Sequence, residues 1–296
     1  DFHEKCSKLF FGSKTPPVVE FELKDIETMA LRVLGRHESV TGVQPKLSLD
    51  AEPTGRNKKG RRLTIVGLWG NYILKPPLLK YPQMPEIEDL TMHLSQLLKI
   101  KTAEHSLIRI KSGELAYISK RFDRTLGQKL QMEDMAQLTE TLTERKYKSS
   151  MERIGKAVQK YSANTKLDLL ALFELTIFSF LTGNADMHLK NFSLLRTEDD
   201  EIIFSPAYDL LSTKLLIPED TEELALTLNG KKSSLKKKDF DDFAEKLRIN
   251  DKARDNSYDK FFRSQQEMLG FIDKSFLTDE LKGKYKDLLC MRFARL

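Results

Sequence analysis

The spacing of apolar residues changes near residue 125, and this change limits the folds open to the chain. Before that point the apolar runs are short and are separated by Gly, Pro and Asn, which is typical of strands. Two segments with apolar residues at helical spacing, 24–34 and 86–98, lie among these runs. The predicted strands are 44–49, 62–66, 72–75, 106–110 and 115–119, and the last two flank a hairpin turn at Ser112-Gly113.

After residue 125 the helical period dominates, apart from two short strands at 192–195 and 202–204. The predicted helices are 133–142, 149–161, 166–181, 239–247, 259–276 and 279–293. The sequence therefore predicts an α+β fold, with a small strand-bearing N-terminal lobe and a mainly α-helical C-terminal lobe. In such an arrangement the functional site is usually found between the two parts.

Composition excludes several classes of protein. Of the 296 residues 40% are hydrophobic and 31% are charged, which is too apolar for general disorder. The most apolar stretch, 167–181, is interrupted by charged residues, so no membrane span of about 18 residues is expected. The N-terminus lacks the apolar core of a signal peptide, and Cys6 and Cys290 cannot form a disulfide framework. We therefore expect a cytoplasmic protein.

Two minor features favour structural over functional interpretations. His3 and Cys6 have the spacing of half a zinc site, but no second pair of ligands is near them in the sequence. The chain has 49 basic and 44 acidic residues, and two basic clusters lie beside turn-forming residues. We interpret both basic clusters as solvated turns, with a docking surface for an acidic partner or a nucleic acid as the alternative. The clusters are Arg56, Lys58, Lys59, Arg61 and Arg62, and Lys231, Lys232, Lys236, Lys237 and Lys238.

The segment 183–193 carries the strongest chemical signal. It follows the most apolar predicted helix and contains Asp186, with Asn191 five residues later. Phosphoryl transfer needs an Asp that accepts the proton of the incoming hydroxyl and an Asn whose amide oxygen reaches a Mg²⁺ ion. Lys190, between them, can neutralise phosphate charge. Asp209, 18 residues after Asn191, follows a predicted strand and is a candidate second metal ligand.

A phosphotransferase also needs a lysine for the nucleotide phosphates and an acid that holds it. Lys75 ends the apolar run 71–75, which Pro76 closes, and the helix that follows offers Glu86 and Glu88. We predict that Lys75 contacts the phosphates and that Glu88 is its partner. The candidate phosphate-covering loop, 39–46, contains a single glycine, so it matches neither GxGxxG nor the P-loop pattern. Its small residues still let backbone N–H groups approach phosphates.

Together these segments resemble the HipA family of toxin kinases. The matching stretches keep their order and spacing over residues ~17 to 295. They are Ser39 to Lys46, Ile73-Leu74-Lys75-Pro76, Lys120-Arg121-Phe122-Asp123-Arg124, Gln131-Met132-Glu133-Asp134, Gly183 to Ser193, and Tyr208-Asp209. The resemblance implies a two-lobed, protein-kinase-like fold that uses Mg-ATP, in a bacterial toxin–antitoxin setting.

The resemblance also assigns roles to residues. It makes Asp186 the catalytic base, and Asn191 and Asp209 the metal ligands. It makes Ser39 an inhibitory autophosphorylation site with Thr41 as a second hydroxyl, and 120–122 the hinge that meets adenine. His188 and Lys190 would line the phosphate site. The implied ATP-binding set is Val40, Thr41, Gly42, Val43, Gln44, Lys46, Lys75, Lys120, Arg121, Phe122, His188, Lys190, Asn191, Tyr208 and Asp209.

Two departures from the family pattern affect these expectations. The family hinge commonly begins with Glu where this chain has Lys120, so an adenine contact there would use backbone groups. The glycine loop begins at residue 39 rather than after roughly a hundred residues, which resembles the short HipT type. The implied partners are a HipS-like small antitoxin, which resembles the missing subdomain, and a HipB-like DNA-binding antitoxin, so any DNA contact is indirect.

The predicted organisation has an N-terminal extension (1–16), a kinase N-lobe (17–124) with a hinge at 118–123, and a C-lobe (125–296). The predicted activity is a serine/threonine protein kinase whose expected target class is the aminoacyl-tRNA synthetases. Two alternatives stay open. One is a small-molecule kinase of the aminoglycoside-phosphotransferase kind, which shares the spacing of Asp186 and Asn191. The other is a non-catalytic scaffold for an antitoxin–DNA complex.

Overall fold

A computed structural model of the protein describes residues 2–25, 45–54, 60–66, 70–125 and 128–296. The chain separates into two compact units: unit 1 is 1–89 with 103–122, and unit 2 is 90–102 with 123–296. The elements described below confirm the α+β class predicted from the sequence. The division into residues 1–16, 17–124 and 125–296 stays a prediction.

Unit 1 is built on a five-stranded antiparallel sheet with the order β2-β1-β3-β5-β4. Its strands are β1 (Leu47–Thr54), β2 (Gly60–Ile65), β3 (Tyr72–Lys75), β4 (His105–Arg109) and β5 (Leu115–Lys120). β3 is the central strand and pairs with β1 and β5, and its last residue, Lys75, pairs with β5. Tyr117 of β5 lies opposite Lys75.

The core of unit 1 includes the N-terminal helix α1 (Glu4–Phe11). Phe10 and Phe11 are buried, and their ring centroids lie 5.8 and 5.7 Å from that of Tyr72. Leu74 of the same strand is fully buried. Aromatic and aliphatic burial of this kind contributes roughly 1.5–3 kcal/mol per side chain. The segment predicted as an N-terminal extension therefore contributes to the core behind β3.

The helix α2 (Met84–Leu97) follows β3 and lies close to the predicted range 86–98. Ile87, Leu90 and Leu94 on one face are buried, as their helical spacing predicts. Residues 84–89 of this helix belong to unit 1 and the rest to unit 2. Residues 26–34 of the other predicted N-terminal helix, 24–34, lie outside the described residues.

Unit 2 is mainly helical. Its helices are α3 (Met135–Leu138), α4 (Met151–Tyr161), α5 (Thr165–Thr182), α6 (Thr213–Leu216), α7 (Lys237–Lys246), α8 (Asp251–Asp273) and α9 (Asp279–Phe293), with 3-10 helices at Thr143–Arg145 and Leu189–Asn191. Its strands are β6 (Arg124–Thr125), β7 (Gln128–Lys129), β8 (Met132–Asp134), β9 (Ser193–Arg196) and β10 (Ile202–Phe204). The strand order is β10-β9-β8 in one antiparallel sheet, and β6 pairs with β7.

Helix α5 forms the centre of unit 2. Phe173, Ile177 and Phe178 are fully buried, as expected for the most apolar helix that the sequence predicts. The hydroxyls of Thr176 and Thr182, also buried, donate to the carbonyls four residues earlier at 2.7 and 2.9 Å. Their polar atoms are thus satisfied within the helix. This rigid helix ends at Thr182, so the segment 183–193 starts from a fixed point.

The predicted helix 133–142 is wrong. Glu133 lies in β8, opposite Leu194 of β9, and only Met135–Leu138 is helical. Asp134 begins the short helix as its N-cap, because its carboxylate accepts the Gln137 N–H while the Gln137 side chain accepts the Asp134 N–H. The pairing with β9 therefore overrides the apolar spacing that suggested a longer helix.

Four of the five lysines of the second basic cluster pair with neighbouring acidic side chains, which supports the solvated-turn interpretation. The pairs are Lys231–Asp239 at 2.7 Å, Lys232–Glu222 at 3.1 Å, Lys237–Asp241 at 2.9 Å and Lys238–Asp242 at 3.0 Å. In the first cluster Arg61 donates to the Phe11 carbonyl, whereas Arg56, Lys58 and Lys59 lie outside the described residues. None of the described helices is long and apolar enough to cross a membrane.

Candidate functional site

Unit 1 contains a buried ion pair at the end of β3. The Lys75 ammonium lies 2.5 Å from Glu88 Oε1, and the two residues are 8% and 0% exposed. The Lys75 Nζ also lies 5.4 Å from the centroid of the Tyr117 ring. A buried charge is retained when it is paired and hydrogen-bonded. The structure therefore brings together the lysine and the acid that the sequence predicted.

The predicted hinge residues 120–122 lie at the end of β5 in unit 1. The Lys120 N–H donates to the Glu104 carbonyl and the Arg121 N–H to the Asn71 carbonyl, each at 2.8 Å. The Lys120 ammonium lies 3.5 Å from the Glu104 carboxylate. Because these two amides are already engaged, a nucleotide base could meet Lys120 and Arg121 through carbonyl or side-chain groups, but not through these N–H donors.

The predicted phosphate loop is mostly not described. Ser39, Val40, Thr41, Gly42, Val43 and Gln44 lie outside the described residues. Lys46, which precedes β1, is exposed.

In unit 2 a glycine and a buried Asn shape the entry to the predicted catalytic loop. Gly183 caps α5 with a φ of 66°, a conformation that favours glycine. The Asn184 side-chain oxygen accepts the Asp186 N–H at 3.1 Å, and the Thr213 hydroxyl accepts the Ala185 N–H at 2.9 Å. These contacts fix the backbone around Asp186, which is exposed.

Asp186 also contacts a residue that sequence reasoning missed. The Tyr147 hydroxyl donates a hydrogen bond of 2.5 Å to Asp186 Oδ1. Burial and the neighbouring carboxylate raise the pKa of Tyr147 above its usual range. The phenol therefore stays protonated, as a donor, at neutral pH. No local spacing connects residues 147 and 186, so only the tertiary packing reveals this pair.

His188 and Lys190 follow Asp186 along the loop. His188 is 7% exposed, and burial lowers the pKa of its imidazole. The Asp186 carboxylate opposes this shift, and Lys146 makes a smaller contribution in the same direction as burial. The ring is therefore neutral at pH 7, and its buried Nδ1 has no hydrogen-bond partner among the described residues. Lys190 is exposed and lies 3.8 Å from Asp134. Its place at the phosphates stays a prediction.

Asn191 and Asp209 lie side by side. The Asn191 amide N–H group donates to Asp209 Oδ2 at 3.4 Å, which leaves the amide oxygen facing elsewhere. That Oδ1 atom is buried and has no hydrogen-bond partner within the described residues. Asp209 has a φ of 59°, an uncommon conformation for a residue other than glycine. Such strain often marks a functional position.

These residues fit a hard divalent cation. An amide oxygen without a donor and a carboxylate next to it are the oxygen ligands that such cations prefer. Tyr208, before Asp209, is oriented by Ser193 at 2.6 Å and by the Lys190 carbonyl at 3.0 Å. The backbone around Asp209 is thereby tied to the loop 183–193, so the two candidate ligands are held together.

Comparisons with known proteins give the relatives of this chain. It is 33% identical over 256 residues to "Putative kinase Y4dM" of Sinorhizobium fredii, with 81% of this chain and 60% of that protein covered. It is 28% identical over 239 residues to a "Putative kinase" of Haemophilus influenzae, with 72% of this chain and 68% of that protein covered. The chain thus spans about 60% of the length of the first of these relatives.

Two solved structures have the same fold. HipA of Shewanella oneidensis MR-1, solved with HipB and its operator DNA, aligns with a TM-score of 0.69 at 21% identity, over 91% of this chain and 70% of that one. The Helicobacter pylori proinflammatory kinase CtkA aligns with a TM-score of 0.56 at 18% identity, over 84% of this chain and 93% of that one. These similarities confirm the kinase-like fold that the sequence predicted.

The family of the HipA-like C-terminal domain matches residues 38–269, which include the Lys75–Glu88 pair and the loop from Gly183 to Asp209. Since this match covers well over half of the chain, the protein belongs to the HipA family, whose resemblance the sequence motifs had indicated.

Proposed function

We propose that the protein is an ATP-dependent serine/threonine protein kinase that acts as the toxin of a HipA-type toxin–antitoxin system. The observation that carries the proposal is the arrangement of Asp186, Asn191 and Asp209. An exposed carboxylate precedes a buried amide oxygen without a donor, and that amide is oriented by a second carboxylate. This set of groups suits phosphoryl transfer from a metal-bound nucleotide.

In the proposed reaction Asp186 accepts the proton of a serine or threonine hydroxyl. The hydroxyl oxygen forms a bond to the γ-phosphorus of ATP as the bond from that phosphorus to the bridging oxygen breaks, and ADP leaves. Asn191 and Asp209 would hold the divalent cation, which we propose to be Mg²⁺, and this ion supplies charge neutralisation at the phosphates when bound. Lys190 and the neutral His188 would line the phosphate site.

The proposed role of unit 1 is to bind the nucleotide. Lys75, held by Glu88, would contact the phosphates through its ammonium group. Lys120, Arg121 and Phe122 would meet the adenine. Because the amides of Lys120 and Arg121 already donate to the Glu104 and Asn71 carbonyls, we expect the carbonyl or side-chain groups of these two residues to make that contact. The loop 39–46 is proposed to cover the phosphates, with autophosphorylation at Ser39 or Thr41.

The partners are proposed from the relatives. Because the Shewanella oneidensis HipA was solved with HipB and operator DNA, we propose a HipB-like antitoxin as a partner here, with indirect contact to DNA. The HipS-like antitoxin stays a prediction from the resemblance. The proposed substrates are aminoacyl-tRNA synthetases.

The test is transfer of the γ-phosphate from labelled ATP to a panel of purified aminoacyl-tRNA synthetases. Asp186→Ala should lower the transfer rate at least about a hundredfold, because positioned proton transfer contributes roughly 10²–10⁴-fold. ATP affinity, measured by calorimetry, should change little. Asp199→Ala, at an exposed aspartate in the turn between β9 and β10, is the matched control and should behave like the wild type.

The same samples separate the alternatives. Full transfer by Asp186→Ala would remove that residue from the mechanism. Phosphorylation of an added aminoglycoside, without transfer to any protein, would favour the small-molecule kinase. Mass spectrometry of wild-type protein should show phosphate at Ser39 or Thr41 that is absent from Asp186→Ala, and equal phosphate in both would exclude autophosphorylation there.

A further inference from the structure

The strongest feature outside the proposed machinery is the segment 142–148, which we call the Tyr147 segment. Its tyrosine reaches the loop through the 2.5 Å hydrogen bond to Asp186 Oδ1. Of the described residues, Tyr147 is the one whose side chain donates to that carboxylate. The residue is 39% exposed, so its phenol lies at the surface next to the proposed base.

Several contacts hold the Tyr147 side chain in place. Its ring packs edge-on with the His188 ring, with centroids 4.9 Å apart and planes at 78°. The Lys146 carbonyl accepts the Leu189 N–H at 3.3 Å, which ties the segment to the loop. The ends of the segment are fixed as well. The Thr141 N–H donates to the Ala136 carbonyl at 2.7 Å, and the Met151 N–H to the Thr227 carbonyl at 2.9 Å.

The hydrogen bond from Tyr147 to Asp186 resembles the one that the hydroxyl of a phosphate acceptor must make to the base. A general base has to lie within hydrogen-bond reach of the proton that it removes. The O–H group of Tyr147 already donates to Asp186 within that reach. Because the pKa of this phenol is raised, Asp186 does not remove its proton at neutral pH. The phenol therefore occupies the base.

We propose that Tyr147 occupies the place of the acceptor hydroxyl on Asp186, and that a protein acceptor has to displace it before phosphoryl transfer. This inference rests on the proposed function, since it requires Asp186 to be the base. Tyr147 then determines specificity. A protein segment has many further contacts with which to displace the phenol, whereas water and small alcohols have few.

The test uses water as the acceptor, because its identity is certain. The release of ADP from Mg-ATP is measured in the full chain without any protein substrate. Tyr147→Phe keeps the ring against His188 and removes the donor. A hydrogen bond to a charged group shifts an equilibrium by roughly ten- to a hundredfold, so ATP hydrolysis should rise by up to that factor. Equal or slower hydrolysis in this variant would overturn the proposal.

The matched control is Tyr161→Phe. Tyr161 is a half-buried tyrosine at the end of α4 whose ring contacts Lys160. This variant should hydrolyse ATP at the wild-type rate. The double variant Tyr147→Phe/Asp186→Ala should not show the rise, because the freed base is absent. A rise in the double variant equal to that in Tyr147→Phe would show that Tyr147 does not act through Asp186, and would also overturn the proposal.

A second measurement does not depend on turnover. Arg145, Lys146 and Lys148 are trypsin sites within the Tyr147 segment. If the Tyr147–Asp186 contact holds the segment, Tyr147→Phe and Asp186→Ala should each be cut there faster than the wild type, and the double variant no faster than either. Cleavage at the wild-type rate in both single variants would contradict the proposal.

The outcomes separate this proposal from the proposed function. If Asp186→Ala leaves phosphoryl transfer and hydrolysis intact, the assignment of the base fails. If Asp186→Ala is inactive but Tyr147→Phe neither speeds hydrolysis nor loosens the segment, the kinase assignment stands and the inference about Tyr147 fails.

Discussion

Replacing Gly183 by alanine should test how α5 positions the proposed catalytic loop, 183–193. Gly183 has a φ of 66°, and its carbonyl accepts the Lys214 N–H at 3.0 Å and the Thr213 hydroxyl at 3.2 Å. An added Cβ would lie 2.8 Å from both Leu288 Cδ2 and Lys214 Cβ. Both the backbone conformation and the neighbouring atoms therefore oppose a side chain at this position.

The two effects can be estimated separately. A left-handed backbone costs about 1–2 kcal/mol for a residue with a Cβ. Forcing a methyl group into a packed region costs about 1–3 kcal/mol more. A central total of about 3.5 kcal/mol corresponds to a fall in Tm of roughly 7–14 °C for a unit of about 150–250 residues, the size class of unit 2. Because Asp186 lies three residues further on, kinase activity should fall as well.

Gly230→Ala is the matched control, since Gly230 has a φ of 79° and no atom within 4 Å of the added Cβ. Its cost is the backbone strain alone, about 1–2 kcal/mol. In urea unfolding, Gly183→Ala should therefore be less stable than Gly230→Ala by about 1–3 kcal/mol. Equal losses would refute the steric part of the reasoning, and no loss in Gly183→Ala would refute all of it.

Two further predictions concern the proposed metal ligands and the buried histidine. Asp209→Asn should weaken ATP binding at least about tenfold in the presence of Mg²⁺ but not in EDTA. The control Asp199→Asn should leave ATP affinity unchanged in both. An unchanged ATP affinity of Asp209→Asn in Mg²⁺, measured by calorimetry, would contradict the metal role. Burial lowers the folded pKa of His188, so the unfolded chain takes up more protons as the pH falls below about 6.5, and stability is lost there. His188→Gln should reduce that loss in urea unfolding between about pH 6.5 and 5, and parallel curves for the two proteins would contradict the burial argument.

Elements with strong local signals could be predicted well from the sequence. The observed bounds of β3 coincide with the predicted 72–75, where Pro76 and Pro77 prevent the strand from continuing. Helix α9 coincides with the predicted 279–293. By contrast, α8 begins at Asp251 rather than at residue 259, because Asn250 accepts the Ala253 N–H as an N-cap. Asn is a favoured N-cap residue, but the first turns of this helix are polar, so the apolar spacing did not indicate that the helix begins there.

The candidate site likewise has local features that could be predicted from the sequence and a long-range contact that could not. The spacing from Asp186 to Asn191 and the pairing of Lys75 with Glu88 depend on short stretches of chain, so residue types and local order were enough to predict them. The contact of Tyr147 with Asp186 spans 39 residues and lies beside the hydrogen bond between Lys146 and Leu189. No property of the intervening sequence determines that packing, so it could not be predicted.

Buried polar atoms without partners give an argument for function that does not depend on the family. Within the described residues, five such atoms lie between residues 184 and 212: Asn184 Nδ2, His188 Nδ1, Asn191 Oδ1, Arg196 Nε and Ser212 Oγ. Each such atom costs about 1–3 kcal/mol, and the left-handed Asp209 adds about 1–3 kcal/mol of strain. A segment whose only role was to join α5 to the next helix would not keep these costs. A ligand that binds the Asn191 oxygen and the Asp209 carboxylate would offset part of these energetic costs. Ligand binding and the fold of this segment should therefore stabilise each other.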